Sequence, residues 1–209
     1  MGRWGEGDVG RGGRGERGFY RFFLPLRKIY IDMIIAEQKR KENIAEYLIY
    51  MYQVEDLIRA HGFDPVKIDQ AIISQFNADY GVKREMLEWY KGLIDRLKSE
   101  GKEKKGHMDF LYEIANSMNA LNVKILHDPL NNEFKDTYDK AKPNIDALRM
   151  RAGHSGENDV QLALNGLYGL LILKLQQKEI SEETQQAFRS ISEWIALLSS
   201  EYMKKEEEL

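Results

Sequence analysis

Cysteine is absent from these 209 residues. That excludes disulfide frameworks, thiolate metal sites and cysteine nucleophiles, and it fits a reducing compartment. Long apolar runs are missing too. The longest candidate, "LALNGLYGLLILKL" (162–175), is interrupted by Asn165 and Lys174 and falls short of the ~20 apolar residues that a membrane span needs. "FFLPL" (22–26) is too short for the core of a secretory signal and runs straight into Arg27 and Lys28. No segment alternates apolar and polar residues over a useful length, so strands are not expected. The expected setting is the cytoplasm of a bacterium, with no membrane partner.

Charge of one sign is also lacking in the main body of the chain. Residues 1–32 hold seven Lys/Arg against four Asp/Glu, a net of +3, and the rest hold 24 against 30, a net of −6. Phosphate binding needs a basic face, so nucleic acid is a poor partner for such a body. The opening "MGRWGEGDVGRGGRGERG" resembles an RNA-binding tail only superficially. It carries four arginines against three acids, too little charge for a useful grip. Eight of the 17 glycines fall within it, and glycine resists ordering. The text changes abruptly at Met33, so residues 1–32 are expected to be a disordered or mis-annotated extension, with translation beginning at Met33.

What is present is helical periodicity. Ile44, Leu48, Met51 and Ile58 recur at spacings of three and four, which predicts one amphipathic helix over about 34–60 closed by Gly62. Asp64-Pro65 offers a cap and a first helical residue for a second, running to about Tyr80. A third covers about 83–99. The charged loop "SEGKEKKG" (99–106) follows, then a fourth helix over about 107–126 carrying Leu111, Ile114, Met118, Leu121 and Ile125. Asp128-Pro129 predicts the start of a fifth, kinked at Pro143 and stopped by Gly153. Asn158 with Gln161 resembles a capping box for a sixth, about 158–178, and Ser181 caps a seventh that runs to about Lys204.

The expected fold is therefore all-α. It is a single-domain bundle of about seven mostly antiparallel helices over residues 33–203, with a frayed acidic tail over 204–209. The sixth helix is apolar nearly all round and should be the buried central one. Gly166 and Gly169 on it would let a neighbour approach closely.

Within this frame four residues stand out as candidate ligand-binding groups. Glu55 sits in the apolar stripe of the first helix, where a buried carboxylate needs a partner. Arg59, one turn on, is the expected one. Asn122 lies in the stripe of the fourth helix and Asn165 on the most buried helix. Such amides either satisfy each other or line a polar pocket between helices.

No catalytic set is assigned. None of His61, His107, His127 and His154 has a glutamate three residues earlier, as helical di-metal sites require, so no metal or other cofactor is expected. "LHD" (126–128) matches a metal phosphohydrolase pair by two residues only. Arg149 and His154 have the spacing of helical RNases, but Gly153 between them should end the helix.

At "RKENIAEYLIYMYQVEDLIRA" (40–60) and "LNGLYGLLILKLQQKEISEET" (164–184), with "LRMRAG" between them, the chain resembles an uncharacterised family of short all-helical proteins from Bacteroidetes and their relatives. Members begin close to a start like "MIIAEQKRKEN" at Met33. The resemblance implies a helical fold and assigns no activity, cofactor or site residue. The leading functional expectation is a non-enzymatic module that binds a protein partner or itself. The alternative is a small-ligand binder or enzyme with a polar pocket between helices. A helical RNase using Arg149 and His154 ranks third.

Overall fold

The computed structural model describes residues 32–153 and 156–207. The glycine-rich leader lies outside them. The described residues form eight α-helices and no strand: α1 (Asp32–Glu42), α2 (Ile44–Ala60), α3 (Pro65–Ala71), α4 (Tyr80–Ser99), α5 (Asp109–Leu126), α6 (Asn132–Arg151), α7 (Asp159–Leu175) and α8 (Glu182–Glu207), with a 3₁₀ turn at Ile73–Gln75.

Helix α7, the expected sixth, is the centre of the bundle and packs on α2, α5, α6 and α8. It buries an unbroken run from Val160 to Leu164, then Leu167, Leu170 and Leu171. Each valine or leucine among them taken fully from water contributes about 1.5–3 kcal/mol. Gly166 is a close-packing device as expected. A Cβ there would lie 2.8 Å from Leu148 Cδ1 on α6 and 3.0 Å from Phe188 Cε1 on α8. Gly169 is not one, because a Cβ there would meet nothing within 4 Å.

Three helix boundaries differ from the periodicity. The expected first helix is two helices, broken at Asn43. The Asn43 side chain accepts the amides of Ala45 and Glu46 and so starts α2 afresh. Ser199, far away on α8, donates to that same Asn43 oxygen at 2.8 Å, a contact that local sequence does not reveal. The expected second helix stops at Ala71. Asp79 then caps α4 through Val82 N–H, so Gly81 lies inside a helix instead of ending one. Asp128 does not cap α6. It accepts from Leu130 N–H and Asn131 Nδ2 in the turn before it. Beyond that turn, α6 runs through Pro143 without restarting.

Helix α5 has no local cap at all. The position before it is Met108, whose side chain makes no capping bond. Its first amides are capped by tertiary carboxylates instead. Met108 N–H donates to Glu55 Oε1 at 2.7 Å and Asp109 N–H to Glu100 Oε2 at 2.7 Å. A carboxylate at a helix N-terminus is favoured by both the open amides and the helix dipole. This arrangement positions the site.

Candidate functional site

Glu55 and Arg59 lie one turn apart on α2 and grip the α4–α5 connection from two sides. They do not pair with each other. Arg59 donates through Nε and Nη2 to the Lys102 carbonyl, at 3.2 and 3.0 Å, and through Nη2 to the Gly106 carbonyl. Its ion-pair partner is Asp56, at 2.8 Å. Gly101 and Gly106 turn the loop with φ of +67° and +83°, the left-handed region where a side chain is strained. The expected Glu55–Arg59 pair is thus replaced by two separate anchors of one loop.

Glu55 is fully buried and both its oxygens are engaged. Oε1 takes Met108 N–H, and Oε2 takes His107 Nδ1–H at 2.6 Å. The imidazole is held flat as well. Its ring stacks on buried Tyr52 with centroids 3.5 Å apart and planes 17° apart, and Tyr112 tilts against it at 5.7 Å. The Tyr112 hydroxyl accepts the His107 backbone N–H at 3.3 Å. In the neutral imidazole with Nδ1–H directed at the carboxylate, Nε2 carries the lone pair and is the ring nitrogen left to meet a ligand.

His107 lines a cleft of about 550 Å³ beneath the loop, together with Glu100, Lys102, Lys105, Tyr112, Glu157 and Asn165. Asn165 is half-buried at its floor, where its Nδ2 donates to Glu157 Oε1 at 3.1 Å and its Oδ1 accepts from Gln161 Nε2 at 2.8 Å. The same Gln161 nitrogen donates to the Tyr52 hydroxyl at 3.0 Å. Gln161 therefore turns into the core and does not complete the expected capping box, although Asn158 does cap its amide. A chain of polar groups joins Glu157 at the cleft to Tyr52 behind the histidine. Burial, the main effect, raises the Tyr52 phenol well above its usual range, and the Glu55 carboxylate adds to this.

Of the four expected residues, Asn165 lines the cleft, Glu55 stands directly behind His107, and Arg59 holds the loop above it. Asn122 is elsewhere. It is 2% exposed and accepts from Trp194 Nε1 at 3.2 Å in the core between α5 and α8. The residue that sequence reasoning missed is His107. The signal for it was the stranded carboxylate at Glu55, which demanded a donor but did not say which.

The other sequence motifs fall into local roles. His127 Nδ1–H donates to the Val123 carbonyl at 2.7 Å, which leaves the "LHD" pair in a helix end and a turn. Arg149 binds Asp159 at 2.6 Å and the Glu157 carbonyl at 2.5 Å, anchoring the start of α7. His154 lies outside the described residues. Among the described residues, no three His, Asp or Glu side chains gather as metal ligands, and no helix is long and apolar enough to cross a membrane.

Fold and site together define an all-helical bundle with one carboxylate-backed histidine in a polar cleft. The chain belongs to the family described as Domain of unknown function (DUF4924), whose model matches residues 33–208. The stretches that carry the resemblance, 40–60 and 164–184, fall within that match. None of the curated proteins and none of the solved structures matches the chain.

Proposed function

We propose that this protein binds a small polar molecule in the cleft beneath residues 100–107, with His107 Nε2 as the proton acceptor that orients it. The observation that carries this reading is the Glu55–His107 pair, 2.6 Å apart, with the carboxylate fully buried and the imidazole at the cleft wall. A carboxylate that fixes the tautomer of a ligand-facing histidine is the arrangement that general acid–base sites use. It makes proton exchange with a bound ligand chemically available. The cleft contains polar groups from three separate elements, the loop, α5 and α7, in the pattern of a ligand pocket between helices.

The reading as a protein-interaction or self-association module lacks a comparable feature. The exposed large apolar side chains are spread over the bundle: Val66 on α3, Tyr80 on α4, Val123 on α5, Leu130 in the α5–α6 turn, Met150 on α6, and Leu173 and Leu175 at the end of α7. The RNase reading loses its arginine, which is committed to Asp159.

The test is a ligand-detected NMR screen of pooled polar metabolites against the full chain and against the H107Q and N165L variants, each first checked for native unfolding behaviour. Compounds that bind the native protein and lose binding in both variants support the reading. Compounds that bind all three equally, or no binder at all, overturn it.

A further inference from the structure

We infer that the ligand of this cleft carries an oxyanion, a carboxylate or a phosphate, held by Lys105 and the Tyr112 hydroxyl while its proton-donating group meets His107 Nε2. The inference rests on the cleft reading above and deepens it.

Every carboxylate at the cleft is engaged. Glu100 accepts Asp109 N–H at 2.7 Å and pairs with Arg96 Nε at 3.4 Å. Glu157 accepts from Asn165, and Glu55 is closed off by His107 and Met108. The donors are in surplus. Lys105 is exposed and makes no ion pair among the described residues. Lys102 points one ammonium hydrogen at Asp109, 3.1 Å away, and lies 5.4 Å from the Tyr112 ring centroid, so further hydrogens remain for an acceptor. The Tyr112 hydroxyl accepts from the His107 backbone and keeps its own proton to donate. The Asn165 amide nitrogen donates once, to Glu157, and carries a second hydrogen. A ligand entering here finds ammonium, phenol and amide hydrogens without partners and carboxylates that already have theirs. An oxyanion entering here adds charge-assisted hydrogen bonds to these donors and breaks none. With Nδ1 on Glu55, the neutral His107 ring offers Nε2 as an acceptor for a hydroxyl, amine or acid hydrogen elsewhere on the same molecule.

The test follows the His107 imidazole resonances of the full-length chain, assigned with H107Q, during titration at constant ionic strength. The probes are inorganic phosphate, acetate, acetamide and ethylamine. Saturable shifts with phosphate or acetate and none with acetamide or ethylamine are the expected result, and the stronger of the two anions assigns the class. Removing a charge-assisted contact weakens binding about tenfold or more, so K105A and Y112F should each shift the titration midpoint upward. K204A, on the last turns of α8, should leave it unchanged. Shifts with acetamide or ethylamine but not with the anions would overturn the oxyanion assignment while leaving the cleft reading intact. Anion shifts that persist in both K105A and Y112F would overturn it too. If no probe moves His107, the assignment falls, and the metabolite screen decides the cleft reading separately.

Discussion

Replacing Glu55 separates its two duties, holding α5 and setting the proton on His107. In the E55L variant, Met108 N–H and His107 Nδ1–H both lose their acceptor, at a position where Glu55 and Met108 are fully buried. A buried donor without a partner costs about 1–3 kcal/mol, so the two together cost roughly 4 kcal/mol. At about 2–4 °C per kcal/mol for a domain of this size, E55L should melt roughly 10 °C or more below the native protein. E55Q is nearly isosteric. Its amide oxygen can keep Met108 N–H, while its amide hydrogens face Nδ1, so the imidazole responds by carrying its proton on Nε2. The expected loss is only about 1 kcal/mol, the difference between charge-assisted and neutral hydrogen bonds. Nε2 then changes from acceptor to donor, and binding of the cleft's ligand should fall even though the fold survives. Urea unfolding measures the first effect, and imidazole ¹⁵N shifts measure the second. E55L within about 0.5 kcal/mol of native, the range of an ordinary surface change, would refute the capping argument. Unchanged ring shifts in E55Q would refute the tautomer argument.

Three further outcomes follow from the packing. G169A should stabilise by about 0.5–1 kcal/mol, because alanine is the better helix former and its Cβ meets open space. G166A should lose that gain against Leu148 and Phe188 and unfold at lower urea than G169A; equal midpoints would contradict the close approach. N122L leaves Trp194 Nε1–H buried without an acceptor. It should cost about 1–3 kcal/mol and leave ligand binding at the cleft untouched, a combination that urea unfolding and the NMR titration check together. Burial first, and then hydrogen bonds to Asp159 and Asp56 respectively, raise the phenols of Tyr138 and Tyr168, as burial does for Tyr52. The unfolded chain releases these protons near pH ~10 and the native protein holds them higher. Their contribution is therefore intact below that pH and is lost as pH rises beyond it. Phenolate absorbance during alkaline titration should show these tyrosines ionising only with unfolding, and simple titration of all 11 tyrosines in the native state would contradict this.

Much of the fold was legible in the residues alone. The apolar stripe of α2, the Asp-Pro start at Pro65, the Asn158 cap and the all-round apolarity of α7 are local properties, written at spacings of three and four and in single capping residues. They determine helix type, the approximate number of helices and which helix must be central. The break at Asn43 was also locally encoded, by a good capping residue that ends the polar run "EQKRKE" (37–42) and precedes the stripe beginning at Ile44.

The site is a different matter. Glu55 announced that a partner was needed, because a carboxylate cannot rest in an apolar stripe without one, yet the nearest base in sequence, Arg59, was not chosen. Only the tertiary structure brought His107 and Met108 to it, from 52 and 53 residues along the chain. The same holds for Ser199 on Asn43, Trp194 on Asn122, and Gln161 between Tyr52 and Asn165. Periodicity is a short-range property of the backbone helix, so the chain itself can state which faces are buried. Which polar group satisfies a buried one depends on where two distant faces meet, and that is settled only when the helices pack.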